Sequence, residues 1–115
     1  MSVTIYHNPR CTKSRQTLAL LEQHGIKPKV IEYLVTPPTE AELKRLLKLL
    51  GISPRELLRR KEEEYERAGL DRPDVTEAEI IRAMVKYPRL IERPIVVSGN
   101  KAALGRPPEN VLKII

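Results

Sequence analysis

Residues 2–34, SVTIYHNPRCTKSRQTLALLEQHGIKPKVIEYL, decide the fold. Ser2 to His7 alternates, with Val3 and Ile5 on one side, and reads as a short strand. Asn8-Pro9 turns the chain. Lys13 to His24 then carries Leu18 and Leu21 at helical spacing and stops at Gly25, a residue suited to a helix C-terminus. Val30 to Leu34 is apolar again and reads as a second strand. A strand, a helix and a strand in so short a span make a βαβ unit with parallel strands.

Outward from this unit the pattern changes. Pro37-Pro38 breaks the chain, and Thr39 and Glu42 have the spacing of a capping box. Leu43, Leu46, Leu47 and Leu50 follow on one helical face, closed by Gly51. Ser53 and Glu56, with Pro54 between them, predict a second helix running through about Tyr65. Gly69 to Asp74 reads as a loop. Thr76 and Glu79 open a third helix carrying Ile80, Ile81, Met84 and Val85, which Tyr87-Pro88 ends. Pro94 to Val97 is a β-branched strand, Ser98-Gly99-Asn100-Lys101 a hairpin turn, and Ala102 to Leu104 the returning strand. Pro107-Pro108-Glu109 opens a last short helix. The expected order is β-α-β, three helices, then β-β-α, in one domain spanning residues 1–115 with a helical insertion over about 39–90.

Composition narrows the function. Hydrophobic residues make up 41% of 115, enough for a core built of Leu, Ile and Val, because Trp and Phe are absent. No apolar run is long enough to cross a membrane, and the N-terminus lacks the pattern of a signal peptide; a cytoplasmic protein is expected. A net charge of +6 favours anionic partners. Nucleic acid is not expected, since no helix bears a basic run and the few aromatics form no stacking platform. A small oxyanion answers the same charge.

The chemistry centres on "HNPRCTKSR", residues 7–15, which holds the single cysteine, Cys11. It lies just before the first helix. A helix N-terminus presents free N–H groups and about half a positive charge, which lower the pKa of a thiol placed there. Arg10, Lys13 and Arg15 add positive charge, and Ser14 is placed to donate a hydrogen bond to the sulfur. The same N–H groups can cradle an oxyanion. Lone cysteines are commonly small buried hydrophobes, but neither Asn-Pro-Arg before nor Thr-Lys-Ser-Arg after suits a core position. With Ser14 where a Cys-x-x-Cys motif would have its second thiol, a mixed disulfide formed here must be resolved by an outside thiol. His7 and His24 with one cysteine do not make a metal-ligand set.

"HNPRCTKSR", "LLRRKEEEYERAGL", "LIERPIVV" and "GRPPE" together resemble the glutaredoxin-coupled arsenate reductases of the ArsC family, in family order and over nearly the whole chain. The chain looks most like the short ArsC-like proteins of bacteria. The resemblance implies an α/β thioredoxin-like fold with a central helical insertion. It implies Cys11 as nucleophile, and Arg59, Arg93 and Arg106 as the arginines holding the oxyanion. Ser14, Arg15 and His7 match the family residues around the thiol, and Pro94 the cis-proline facing it. Arsenate would be the substrate, glutathione the co-substrate and glutaredoxin the partner, with no bound cofactor and a monomer expected. Arginine suits the task, because its planar fork matches a tetrahedral oxyanion and stays charged. The chain departs from the resistance enzymes at Thr12-Lys13, where they carry Gly-Thr. Two other functions share the fold: a Spx-like regulator binding RNA polymerase, many of which use a Cys-x-x-Cys switch absent here, and a monothiol oxidoreductase acting on glutathionylated substrates, which would not need the arginine set.

Overall fold

The computed structural model describes residues 2–115. They fall into two compact units, one formed by the chain up to Thr36 together with Arg93–Ile115, the other by Pro37–Glu92.

The first unit is a four-stranded sheet with one α-helix. Its elements are β1 (Val3–His7), α1 (Thr12–Gln23), β2 (Lys29–Glu32), β3 (Ile95–Ser98), β4 (Lys101–Leu104) and a closing 3₁₀ segment, Pro108–Lys113. Strand order is β2-β1-β3-β4. β1 runs parallel to β2, with His7 opposite Glu32, and antiparallel to β3, with Ile5 opposite Val96. β3 and β4 form the expected hairpin, Ser98 facing Lys101 across its turn. This is the thioredoxin-like arrangement expected from the sequence. Its last element differs: a 3₁₀ segment replaces the predicted α-helix. It begins on Pro107-Pro108, and its bonds close over three residues, as from the Asn110 N–H to the Pro107 carbonyl at 3.0 Å.

Alternation along β1 sets the core. Val3, Ile5 and His7 are buried, while Thr4 and Tyr6 are half-buried. Val3 and Ile5 join Leu21, Val96 and Val111, and Leu18, Ile26 and Ala103 pack around them. The same face that is apolar at the start of β1 therefore ends in an imidazole. α1 matches this change. Its buried residues are Ser14, Thr17 and Leu21, whereas Leu18, expected in the stripe, is only half-buried. Hydroxyls take the buried positions of the first two turns because that part of the helix covers polar groups rather than core.

The second unit is helical: α2 (Glu40–Leu50), α3 (Pro54–Leu57), α4 (Glu63–Arg67) and α5 (Glu77–Lys86), followed by a 3₁₀ turn, Pro88–Leu90. The Thr39–Glu42 capping box is complete, with bonds of 3.1 and 3.2 Å, and Gly51 closes α2 in the left-handed region at φ 68°. α2 and α3 pack on α5, which buries Ile80, Ile81, Ala83 and Met84.

The helix predicted from Ser53 through about Tyr65 is broken in two. Leu57 and Leu58 are consecutive and both buried. Leu58 is extended and forms a bridge with Ile91. The Arg59 N–H donates to the Leu90 carbonyl and the Glu92 N–H to the Leu57 carbonyl, each at 2.8 Å. These nonlocal bonds satisfy the backbone where the helix would have continued. Ser53 makes no capping bond to the backbone. At Thr76 the hydroxyl accepts from the Glu79 N–H at 3.2 Å, but the Glu79 carboxylate is bound by Arg72.

Candidate active site

The loop after β1 is wound tightly on itself. The Cys11 N–H donates to the Asn8 carbonyl, and the Arg10 N–H to Asn8 Oδ1, both at 3.0 Å. Cys11 is the N-cap residue of α1, with extended backbone, and its carbonyl accepts from the Arg15 N–H at 3.0 Å. The residue is 8% exposed.

The Cys11 side chain makes no capping hydrogen bond. Its surroundings suit the thiolate. Burial pushes its pKa up, but four influences outweigh that and hold it below the ordinary value. These are the Ser14 N–H, the charge of Arg93, the Lys13 N–H and a hydrogen bond from the Arg93 side chain. The helix start thus supplies two N–H groups and a distant arginine supplies the charge.

The structure redistributes the predicted roles around the sulfur. Ser14 is fully buried, and its hydroxyl is engaged by His7 and Asn8. Its Oγ lies 2.6 Å from His7 Nδ1 and accepts from the Asn8 N–H at 3.0 Å. The Asn8 N–H takes one lone pair of this oxygen, and the direction of the His7–Ser14 bond follows the tautomer of the imidazole. Burial lowers the His7 pKa, Glu32 opposes this, and Arg15 adds to it. Arg15 is exposed, and its guanidinium donates to the Pro9 carbonyl at 2.9 Å and to Thr12 Oγ1 at 3.4 Å. Arg10 and Lys13 are exposed as well. The charge that lowers the Cys11 pKa comes from Arg93 and not from these three neighbours in sequence.

The Arg93–Pro94 bond is cis, as the resemblance implied, and Arg106–Pro107 is cis too, which was not expected. The Gly105 N–H donates to the Pro94 carbonyl at 2.9 Å, and Arg106 Nη1 to the Arg93 carbonyl at 3.4 Å. The segment after β4 therefore lies against the segment before β3, bringing Arg93, Pro94 and Arg106 together. Arg59 belongs to the helical unit. There its Nη1 lies 2.7 Å from Glu62 and its Nε 3.7 Å from Glu92, so two carboxylates offset its charge.

Two residues at the site were not singled out from the sequence. Thr17 is fully buried, its Oγ1 donating to the Lys13 carbonyl at 2.8 Å. Gly105 lies so close to Pro94 and Thr17 that a Cβ there would meet Pro94 Cγ at 2.7 Å. The available signal was weak: a hydroxyl one turn beyond Ser14, and a glycine inside the "GRPPE" segment. Among the described residues no group of three or more His, Cys, Asp or Glu could hold a metal ion, and no helix is long and apolar enough to cross a membrane.

The ArsC family model matches residues 6–114. An arsenate reductase of Haemophilus influenzae is 50% identical over 116 residues, covering the whole of both chains. YfgD of Escherichia coli, a protein of uncharacterised function, is 54% identical over 98% of this chain and 96% of its own. Among solved structures, an arsenate reductase from Vibrio cholerae superposes with a TM-score of 0.96 at 52% identity, covering 100% of this chain and 98% of that one.

Proposed function

The chain belongs to the ArsC family, and from that premise we propose that it is an oxidoreductase that reduces arsenate to arsenite through Cys11. The observation that carries this reading is the thiol at the start of α1, held toward its thiolate form by the Ser14 N–H and by Arg93. Its full-length similarity to the arsenate reductase of Haemophilus influenzae supports the same substrate.

In the proposed reaction the Cys11 thiolate attacks arsenic(V), and a protonated arsenate oxygen leaves as water. Arg93 and Arg106 hold the remaining oxygens, and the N–H groups at the start of α1 balance the added charge. The glutathione thiolate then attacks Cys11 Sγ. The S–As electron pair passes to arsenic, which becomes arsenic(III), and a disulfide joins Cys11 to glutathione. Glutaredoxin attacks the glutathione sulfur and expels the Cys11 thiolate, a good leaving group because of its lowered pKa. The two electrons that reach arsenic come from the two thiols. An outside thiol is needed because Cys11 is the only cysteine. His7 and Ser14 hold the loop that carries these N–H groups. The family resemblance also assigned Arg59 to the anion; with that guanidinium engaged by Glu62 and Glu92, the proposal rests on Arg93 and Arg106.

The test is arsenate-dependent NADPH oxidation, coupled through glutaredoxin, glutathione and glutathione reductase. Turnover is expected with the parent protein and is abolished by Cys11→Ser. Absence of turnover in the parent refutes arsenate as substrate; turnover surviving in Cys11→Ser refutes the nucleophile.

A further inference from the structure

Thr17 is a fully buried hydroxyl that the proposed chemistry does not use. It lies between the two halves of the site. On one side its Oγ1 is 2.8 Å from the carbonyl of Lys13, the residue whose N–H favours the Cys11 thiolate. On the other side it is 3.5 Å from the carbonyl of Gly105, the residue that precedes Arg106. One hydroxyl hydrogen is thus shared between two carbonyls, a short arm to the helix and a longer arm to the loop. Its methyl completes the contact, since a Cβ at Gly105 would meet Thr17 Cγ2 at 3.0 Å. Gly105 in turn donates its N–H to the Pro94 carbonyl at 2.9 Å, and Arg106 Nη1 to the Arg93 carbonyl at 3.4 Å.

We propose that Thr17 is a positioning residue for the site. Its hydroxyl fastens the Gly105 backbone to the first turn of α1, and so sets Arg93 and Arg106 at the loop that carries Cys11. Helix propensity gives no reason for a threonine here, because a β-branched residue lowers it. A threonine bonding back to the carbonyl four residues earlier slightly weakens a helix. The second, nonlocal carbonyl is what the hydroxyl gains. The assignment of Arg93 and Arg106 to an anion rests on the proposed function; the seating of Arg93 beside the thiol does not.

The experiment compares Thr17→Val, which keeps the shape and removes the hydroxyl, with Thr17→Ser, which keeps the hydroxyl. Two quantities are read: the pH titration of the Cys11 thiolate by its ultraviolet absorbance, and KM and kcat for arsenate at a pH where the thiol is fully ionised. In Thr17→Val the thiol titration is expected to move to higher pH. KM should rise about twofold with kcat nearly unchanged, the low end for one lost neutral hydrogen bond, as befits the long arm to Gly105. Thr17→Ser restores both. An unchanged titration in a folded Thr17→Val overturns the proposal. Equal impairment in Val and Ser variants also overturns it, since the methyl alone would then matter. If Thr17→Val does not fold, Thr17→Ala is read by the same criteria. If the parent shows no arsenate turnover, the proposed substrate fails, while the titration still decides the role of Thr17.

Discussion

Replacing Gly105 by alanine tests whether the site is held by close backbone approach. The added Cβ would meet Pro94 Cγ at 2.7 Å and Thr17 Cγ2 at 3.0 Å, with Thr17 Oγ1 nearer still. Ordinary carbon–carbon contact is about 3.5–4.0 Å, so the proline ring must retreat by about 1 Å. Overpacking of this kind costs about 1–3 kcal/mol. Alanine also restricts the unfolded chain, a gain of about 0.4–1 kcal/mol where the native backbone accepts it. That gain applies here, because Gly105 is not among the positive-φ glycines. The balance is a loss of up to about 2.6 kcal/mol, centred at about 1.3 kcal/mol. Urea unfolding followed by circular dichroism measures it. Because the strain falls on Pro94, next to Arg93, the Cys11 titration should also move to higher pH. Gly51→Ala is the control: nothing lies within 4 Å of a Cβ there, but φ is +68°. It should lose about 1 kcal/mol from backbone strain alone, with the thiol titration unmoved. A Gly105→Ala protein as stable as its parent, with the parent's titration, would refute the reasoning.

Arg93→Met should raise the Cys11 pKa, because it removes both a positive charge and a hydrogen bond that favour the thiolate; the pH profile of alkylation by iodoacetamide then shifts upward, and an unshifted profile would remove Arg93 from the site. His7 has its pKa lowered below the usual 6.5 by burial, so below pH 6.5 the unfolded chain binds more protons than the native one. Stability should therefore decline as pH falls from about 6.5 toward the folded pKa and level off beneath it. His7→Gln should remove that part of the pH dependence, and an identical slope in both proteins contradicts the burial argument.

Most of the fold was legible because its signals are local. Alternation marks β1, Gly51 and the Thr39 box bound α2, and Ser98-Gly99-Asn100-Lys101 marks the hairpin. The failure at Leu58 is of another kind. "PRELLRRKEEEYER" has nothing in it that stops a helix. What stops it is a pairing with residues some thirty positions later, through Arg59 with Leu90 and Leu57 with Glu92. Two adjacent buried leucines were the trace of this, since Leu57 and Leu58 point along different directions of a helix.

The site shows the same division. Cys11 and the helix start that supports it follow from order along the chain. The charge does not. The cations nearest in sequence, Arg10, Lys13 and Arg15, are exposed, and it is Arg93, more than eighty residues away, that holds the thiol pKa down. Only the family resemblance pointed to it. This division also explains why Thr12-Lys13 can stand where the resistance enzymes carry Gly-Thr. Thr12 is the first residue of α1, in ordinary helical backbone that needs no glycine, and the side chains of Thr12 and Lys13 are exposed. What the thiolate uses from this stretch is the N–H groups of Lys13 and Ser14, which any residue but proline would supply. The loop therefore accepts Thr12 and Lys13 without strain on the thiol's N–H contacts. The constraint falls instead on Ser14, Thr17 and Gly105, whose side chains, or lack of one, are enclosed.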